Sequence, residues 1–446
     1  MSEHRSQNDW KQLFDGHIVE RQRVLGEVLT QTGFDGLILS SGTPFRYFAD
    51  DRDAPFETSG HFRHWCPIEG PHHVLVLMNG RPPVLIRHAP EDYWYEQLPL
   101  GDPFWKECFS IDEAGTPEEV WSAVGKRAGK ARLAYIGDAP ERASESMSGI
   151  DVDPVAMRSH LDWFRAYKSD YELACLEEAT RLGADGHRAA RAAFEAGRSE
   201  REIHYAFVQA MGMTDTELPY TTIVALDEKA ATLHYEGKRS GVDGRVLLID
   251  AGAQYGGYAS DITRTYAKDG VHQRFVELVS GVDRLQQKLC RSIRPGVPYG
   301  ELHHAAHLEI ADLLQQCGIL RVSADEALAQ GLTRPFFPHG LGHHLGIYVH
   351  DVGGHLAAPD GTLEPPPEHH PFLRNTRRLE PRHVFTMEPG VYFIQMLLRE
   401  LREGASSGQF DWPLIDTLSS FGGIRIEDNV VVTESGHRNL TRERLD

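Results

Sequence analysis

No stretch of this chain is long and apolar enough for a membrane span or for the core of a secretion signal, and its first residues, MSEHRSQNDWKQLFDGH, are polar and mixed in charge. These absences predict a cytoplasmic protein. Cysteine is scarce: Cys66, Cys108, Cys175, Cys290 and Cys317 are scattered through 446 residues with no CxxC spacing. That argues against a disulfide framework and a thiolate zinc site, and fits a reducing compartment. Surplus positive charge is also missing. With 46 Lys and Arg against 65 Asp and Glu, the net charge is −19, so neither nucleic acid nor an anionic membrane is an expected partner, whereas metal cations are compatible with such a field. No internal repeat is visible, and low complexity is confined to GTLEPPPEHHP at 361–371. Three consecutive prolines there imply a stiff, extended loop.

What is present reads as an ordinary globular chain, 41% hydrophobic and 25% charged. Its length exceeds what one hydrophobic core usually supports, so two domains are expected. The first has an α/β pattern. Residues 18–33 carry helical apolar spacing, and FDGLILSS (34–41) reads as a buried strand. HVLVLMNG (73–80) and PPVLIRH (82–88) read as a hairpin around Asn79-Gly80, and ARLAYIG (131–137) as the last strand. Between about 150 and 168 the pattern changes to long amphipathic helices. Ser169 with Glu172 three residues on has the capping-box arrangement. The boundary is placed near residue 163, giving domains 1–163 and 164–446.

Four segments of the second domain carry chemistry. RVLLIDAGAQYGGYASDITRTY (245–266) reads as a hairpin around Gly256 and Gly257. With its turn centred between Tyr255 and Gly256, Asp250 and Asp261 face each other across the ladder, ~5 Å apart at Cβ. Opposed acids repel unless a cation lies between them, and hard oxygen ligands suit Mn²⁺, Mg²⁺ or Ca²⁺. Two exposed hairpin acids, or one protonated acid, are the alternatives. RPFFPHGLGHHLGIYVHDVGGH (334–355) gathers His339, His343, His344, His350 and His355 among glycines, and imidazole is both a common metal ligand and a proton shuttle. In RHVFTMEPGVYF (382–393), Pro389 places Glu388 where a strand ends or bulges. GGIRIEDNVVVTESG (422–436) reads as one strand with Arg425 and Glu427 on the same face. Taken singly, Glu388 and Glu427 read more readily as solvated strand carboxylates than as ligands.

Together these motifs, preceded by RAYKSDYELACLEEA (165–179), resemble the metal-dependent pita-bread peptidase family, which includes prolidase, aminopeptidase P and methionine aminopeptidase. The resemblance runs in order from residue 165 to the C-terminus, and the first domain looks like the creatinase/prolidase-like N-terminal domain of prolidases and aminopeptidase P. It implies an α/β N-terminal domain that serves dimerisation and covers the site, followed by an α+β pita-bread catalytic domain. By resemblance, Asp250, Asp261, His343, Glu388 and Glu427 hold two divalent cations per subunit. Asp261 and Glu427 would bridge them, Asp250 would complete one, and His343 with Glu388 the other. The oxygen-rich set favours manganese.

The activity implied is that of a bacterial Xaa-Pro dipeptidase, in which a metal-bridged water attacks the peptide bond of dipeptides ending in proline. Glu388 would be general base, His234, His339 and His350 would face the substrate, and Tyr220 would line the pocket. Arg374 and Arg425 would bind the substrate carboxylate, a role suited to a guanidinium fork, with structural salt bridges as their alternative. Small proline-containing peptides are the expected partners, with a homodimer as assembly. Hydrolysis of organophosphate triesters is an implied side activity, and removal of the N-terminal residue from longer Xaa-Pro peptides, as by aminopeptidase P, is the alternative reading. A metal-free binding module or a creatine-hydrolysing relative would show substitutions among the five ligands, and none occurs. Two departures stand out: Pro381-Arg382-His383 replaces the Pro-Gly-Met common in relatives, and residues 396–421 look like an insertion. The aromatic segment PFETSGHFRHWCPI (55–68) is the expected lid.

Overall fold

Ser6 and Asp9 close a reciprocal capping box, the Ser6 N–H donating to Asp9 Oδ2 at 2.8 Å and the Asp9 N–H to Ser6 Oγ at 3.2 Å, and from there helix α1 runs over Gln7–Thr32. It stops at Gly33, a left-handed residue (φ 74°) whose N–H reaches Leu29 O. The helix expected at 18–33 is therefore only its second half. Its first half buries Trp10, Phe14 and His17 at the helical spacing of four and then three, but one of these three is polar and most residues between them are polar or charged. The computed structural model describes residues 5–138, 140–147 and 149–445. Two units are distinguished, Met1–Ala174 with Leu356–Thr362, and Cys175–His355 with Leu363–Asp446.

The first unit is built on a six-stranded mixed sheet. Strands β1 (Gly36–Ser40), β2 (Val74–Met78), β3 (Val84–His88), β4 (Ser110–Ala114), β5 (Leu133–Ile136) and β6 (Ile150–Val152) lie in the order β4-β3-β2-β1-β5-β6. The expected hairpin is present, with Val76 opposite Val84. Strand β5 is not the last, as the sequence suggested: β6 pairs beyond it, in parallel. Both β4 and β6 escape a search for apolar runs because their side chains are largely polar or exposed. Helices α2 (Gly60–Arg63), α3 (Pro117–Ala128), α4 (Pro140–Ser146) and α5 (Val155–Arg165) complete the unit.

The segment expected to be a lid is instead largely core of this unit, with Phe62, Trp65 and Cys66 at 0%, 4% and 0% exposure. The exposed aromatics lie elsewhere, at Phe45, Phe48, Tyr93, Trp94 and Tyr95. His64 belongs to a buried polar cluster. Its Nε2 lies 3.3 Å from Glu172 Oε1, its carbonyl is 2.7 Å from His17 Nε2, and His17 Nδ1 meets Ser169 Oγ at 2.8 Å. Glu172 also returns to the Ser169 N–H at 2.8 Å, so the expected capping box forms and opens helix α6 (Asp170–Glu195).

In the second unit, α6 and α7 (Glu200–Met211) precede an antiparallel sheet of β7 (Ile223–Leu226), β8 (Val246–Asp250) and, after the short hairpin β9 (Gln254–Tyr255) and β10 (Tyr258–Ala259), β11 (Thr263–Ala267). The hairpin register differs from the expected one by two residues. Tyr255 faces Tyr258, and Asp250 faces Thr263, not Asp261. A tight two-residue hairpin turn favours left-handed residues, and Gly256 and Gly257 (φ 57° and 81°) supply both, which moves the turn centre onto the glycine pair. A shift of two preserves which face each side chain occupies. Asp261 then lies just ahead of β11, in the stretch where the Ala251 N–H bonds Ile262 O and the Ser260 N–H bonds Ala253 O.

Helices α8 (Gln273–Arg291), α9 (Tyr299–Gln316) and α10 (Ala324–Ala329) lead to β12 (Val384–Met387) and β13 (Gly390–Tyr392), with Glu388 in the break between them. The insertion folds as helices α11 (Gln395–Glu403) and α12 (Trp412–Ser419), which bury Leu398, Ile415 and Leu418 in the main core. The expected single strand at 422–436 is two strands, β14 (Gly423–Arg425) pairing with β13, and β15 (Asp428–Val432) with β12 and β16 (His437–Asn439). The chain changes sheets at Ile426-Glu427, where Glu427 bridges to Thr263. No helix among the described residues is long and apolar enough to cross a membrane.

Candidate metal centre

Strand ends supply the acids of the site. Asp250 closes β8, Asp261 precedes β11, Glu388 follows β12, and Glu427 sits at the sheet change. Each interruption leaves a carboxylate beside backbone that no longer runs in a regular ladder. Asp261, His343 and Glu427 are buried and offer ligand atoms within 4.8 Å of one another. Tyr220 Oη lies 2.9 Å from Asp250 Oδ1 and 2.6 Å from Asp261 Oδ1, so the two aspartates meet at a phenol rather than across a ladder.

The electrostatics call for cations. Four carboxylates converge where Arg425 is the guanidinium paired with them, its Nη2 reaching Asp250 Oδ2 at 2.5 Å. Burial, then the charges of Asp261, Glu388 and Asp250, drives Glu427 well above the usual carboxylate range. Burial likewise pushes Glu388 up to about 7 and raises Asp250, against the pull of Arg425. Tyr220 has one proton for two aspartates, and burial with those charges keeps it a phenol.

The tautomer of His343 bears on what fits. Its Nδ1 lies 3.0 Å from His344 O, which assigns the ring proton to Nδ1, so Nε2 presents a lone pair towards Asp261 Oδ2 at 3.4 Å and Glu388 Oε1 at 3.7 Å. A lone pair facing two carboxylates is repulsive unless a cation, or a second ring proton, lies among them. Burial opposes a charged ring, yet Asp261 and Glu388 raise His343. The carbonyl behind Nδ1 is the customary outer partner of a ligating histidine. The donor set of carboxylates and one imidazole thus fits divalent metal ions.

The remaining expected residues divide into those drawn into the cluster and those at its margin. His339 is held by Gly340 O at Nδ1 and Tyr392 Oη at Nε2, both at 2.8 Å, with Glu388 Oε2 3.6 Å from Nδ1. Burial and Arg425 push it down to about 3, a neutral ring with both nitrogens engaged. The His350 ring lies edge-on to His343, centroids 4.3 Å apart, and burial with the charges of His343 and Arg374 lowers it to about 3. His234 is exposed and near enough for its charge to lower both rings. Arg425 is engaged inward, by Asp250, by Tyr392 Oη at 2.7 Å and by Thr263 Oγ1 at 3.2 Å. Arg374 is exposed. His344 and His355 stay outside the cluster, His355 Nε2 meeting Leu373 O at 2.8 Å.

Three polar residues of the site were not singled out from sequence. Thr263 donates to Glu427 Oε2 at 2.6 Å, Tyr392 links Arg425 to His339, and the Asn429 side chain accepts from the Asp261 N–H at 3.2 Å. Thr263 and Tyr392 look like ordinary strand formers. The available signal was period: Tyr392 lies two residues beyond Gly390, which pairs with Arg425.

A buried dinuclear-type acid and histidine cluster on interrupted strands defines a metallopeptidase, and the chain belongs to metallopeptidase family M24, which it matches over residues 174–434. Residues 12–163 match the Xaa-Pro dipeptidase N-terminal domain. The chain is 42% identical over 438 residues to an Xaa-Pro dipeptidase of Pseudoalteromonas atlantica, covering 97% of this chain and 98% of that one. It is also 42% identical over 439 residues to an Xaa-Pro dipeptidase of Stenotrophomonas maltophilia, covering 98% of each. Among solved structures, the low-pH form of Escherichia coli aminopeptidase P matches with TM-score 0.75 and 26% identity over 99% of this chain and 96% of that one. The same enzyme with the inhibitor Pro-Leu matches with TM-score 0.74 and 25% identity over 99% and 96%. The fold is the pita-bread catalytic fold preceded by an α/β domain.

Proposed function

We propose that this protein is an Xaa-Pro dipeptidase that uses two divalent metal ions, with Mn²⁺ as the native metal. The observation that carries the catalytic reading is the convergence of four buried or half-buried carboxylates, Asp250, Asp261, Glu388 and Glu427, on His343, with Arg425 paired to Asp250 among them. The dipeptide restriction rests on full-length likeness to Xaa-Pro dipeptidases, including the N-terminal domain. When bound, the ions supply Lewis acidity to the scissile carbonyl and make water a nucleophile near neutral pH.

The chain's own groups divide the remaining work. Asp261, Glu427, Asp250, His343 through Nε2 and Glu388 through Oε1 would hold the two ions. Glu388 Oε2, facing His339, is the proton-carrying atom. Arg425 and Thr263 are positioning residues that hold Asp250 and Glu427. Tyr220 Oη donates into the aspartate pair and closes one wall. His234, His339 and His350 line the substrate side, and Arg374 is the exposed cation available to a substrate carboxylate. A prolyl amide has no N–H, so recognition falls on this carboxylate contact.

The deciding experiment is a panel of Ala-Pro and of tripeptides with proline second, each with Mn²⁺ and with chelator. Hydrolysis of the dipeptide alone, abolished by chelator, is expected. Preference for the tripeptide makes the protein an aminopeptidase P, and activity indifferent to chelator removes the metal account. Hydrolysis of an organophosphate triester under the same conditions, slower than of Ala-Pro, is proposed as a side activity. We place the protein in the cytoplasm, as no disulfide forms among the described residues. A homodimer is supported by the exposed aromatics of the first unit, Phe48 at 100% and Trp94 at 77% exposure. Light scattering on the purified chain tests this.

A further inference from the structure

A second group of ligating side chains lies in the catalytic unit, apart from the acidic centre. His303 and His307 stand one turn apart on the same face of α9, and His370 comes to them from the proline-rich loop. One nitrogen from each ring lies within 4.8 Å of the others. The ring centroids are 4.8 Å (His303 to His307), 4.4 Å (His303 to His370) and 4.5 Å (His307 to His370) apart. His303 and His307 are 2% and 1% exposed.

Their hydrogen bonding is incomplete. Both nitrogens of His303 and Nε2 of His307 are buried without a hydrogen-bond partner among the described residues. Leaving a buried ring nitrogen unmatched is unfavourable. His307 Nδ1 lies 2.8 Å from Thr333 Oγ1; with its proton there, Nε2 carries a free lone pair and has the outer-sphere partner that ligating histidines have. Burial holds all three rings neutral, His303 at about 2, His307 at about 3 and His370 at about 4, so no proton occupies the lone pairs at neutral pH. Tilted contact with Phe337, 5.6 Å from His303 and 5.0 Å from His307 between ring centroids, accounts for their packing but not for the empty nitrogens. A cavity of about 370 Å³, whose lining includes Phe337, His339 and His370, gives an ion access.

We propose that His303, His307 and His370 form a third metal site that takes an imidazole-preferring transition ion of the Zn²⁺ class and tacks the proline-rich loop to α9. Three neutral nitrogens and no carboxylate select against Mn²⁺ and Mg²⁺, while the acidic centre prefers hard ions, so the two sites differ in metal. The site is structural with respect to hydrolysis. Phe337, which packs on His303 and His307, also lies against His339, ring centroids 4.8 Å apart, so the bound ion braces the wall behind that histidine.

The test uses full-length protein saturated with Mn²⁺, to which Zn²⁺ is added, with both metals counted after desalting. Wild type is expected to take up about one equivalent of Zn²⁺ beyond any that displaces Mn²⁺ from the acidic centre, where Zn²⁺ also binds the more tightly. His370→Ala, a change in a half-buried loop, and His303→Gln should lose this additional Zn²⁺ and leave the metal count of the acidic centre unchanged. Thr333→Val should weaken Zn²⁺ binding roughly 10–100-fold with all three ligands present. Glu427→Gln should lose Mn²⁺ and keep the Zn²⁺, which separates this site from the acidic centre. Absence of Zn²⁺ uptake, uptake unchanged in His370→Ala, or Zn²⁺ that merely replaces Mn²⁺ equivalent for equivalent would each overturn the proposal.

Discussion

Arg374 and Arg425 carry the same charge into different surroundings, and their substitutions should separate accordingly. Arg425 is buried against Asp250, Tyr392 and Thr263, so Arg425→Lys, which loses the fork, should lower metal retention and kcat together. Arg374 is exposed, and in the role proposed for it its loss removes a charge-assisted contact with substrate. Arg374→Gln should therefore raise KM for Ala-Pro with kcat nearly unchanged, by about 1.5–3 kcal/mol in kcat/KM. Steady-state kinetics with bound-metal analysis distinguishes the two; a kcat defect in Arg374→Gln would move it out of the binding role. At this scale the carboxylates were legible through the family motifs rather than through geometry, since Asp250 faces Thr263 and not Asp261, and Glu388 and Glu427 read singly as strand acids. Thr263 and Tyr392 were not, because a hydroxyl on a strand reveals its partner only after the strands are paired. The group of His303, His307 and His370 was hidden for the same reason, since one of its members lies more than sixty residues along the chain in a loop read only as stiff.

Local chemistry set the elements more faithfully than it set their limits. The Ser169 capping box and the first hairpin could be read from side chains adjacent in sequence. The register around Asp250 was displaced by two because either of two residue pairs could have been the turn, and only the paired positive φ values of Gly256 and Gly257 settle it. The break at Ile426-Glu427 was invisible, as the alternation continues unbroken through two strands that belong to different sheets. Glycine substitutions should reflect these geometries. A Cβ at Gly252 would lie 1.9 Å from Ser260 O and 2.9 Å from Tyr220 Cε1. Gly252→Ala should cost about 3 kcal/mol or more and displace Tyr220. Gly270→Ala, at a left-handed residue (φ 87°) with nothing within 4 Å of the added Cβ, meets only the backbone penalty and should cost about 1–2 kcal/mol. Urea unfolding of both variants checks the order, and equal losses would contradict it.

For the whole molecule, the buried imidazoles make stability fall with acid. Burial holds His17 at about 4 and His64 at about 3, against an ordinary 6.5. The unfolded chain binds protons that the folded chain refuses, so stability is full above 6.5 and declines as pH falls from there towards 4. Each ring contributes about 1.4 kcal/mol per pH unit across that window. His64→Gln should flatten the dependence by that amount in urea unfolding at pH 5 to 7, and an unchanged slope would mean that His64 is protonated in the fold. The division of the chain between Ala174 and Cys175 falls within the opening turns of α6. Anyone cutting the gene to express the catalytic half alone should therefore begin ahead of Ser169. A fragment starting at Cys175 would expose the amide ends of a decapitated helix, and purified yield and melting temperature of the two fragments would register the missing cap.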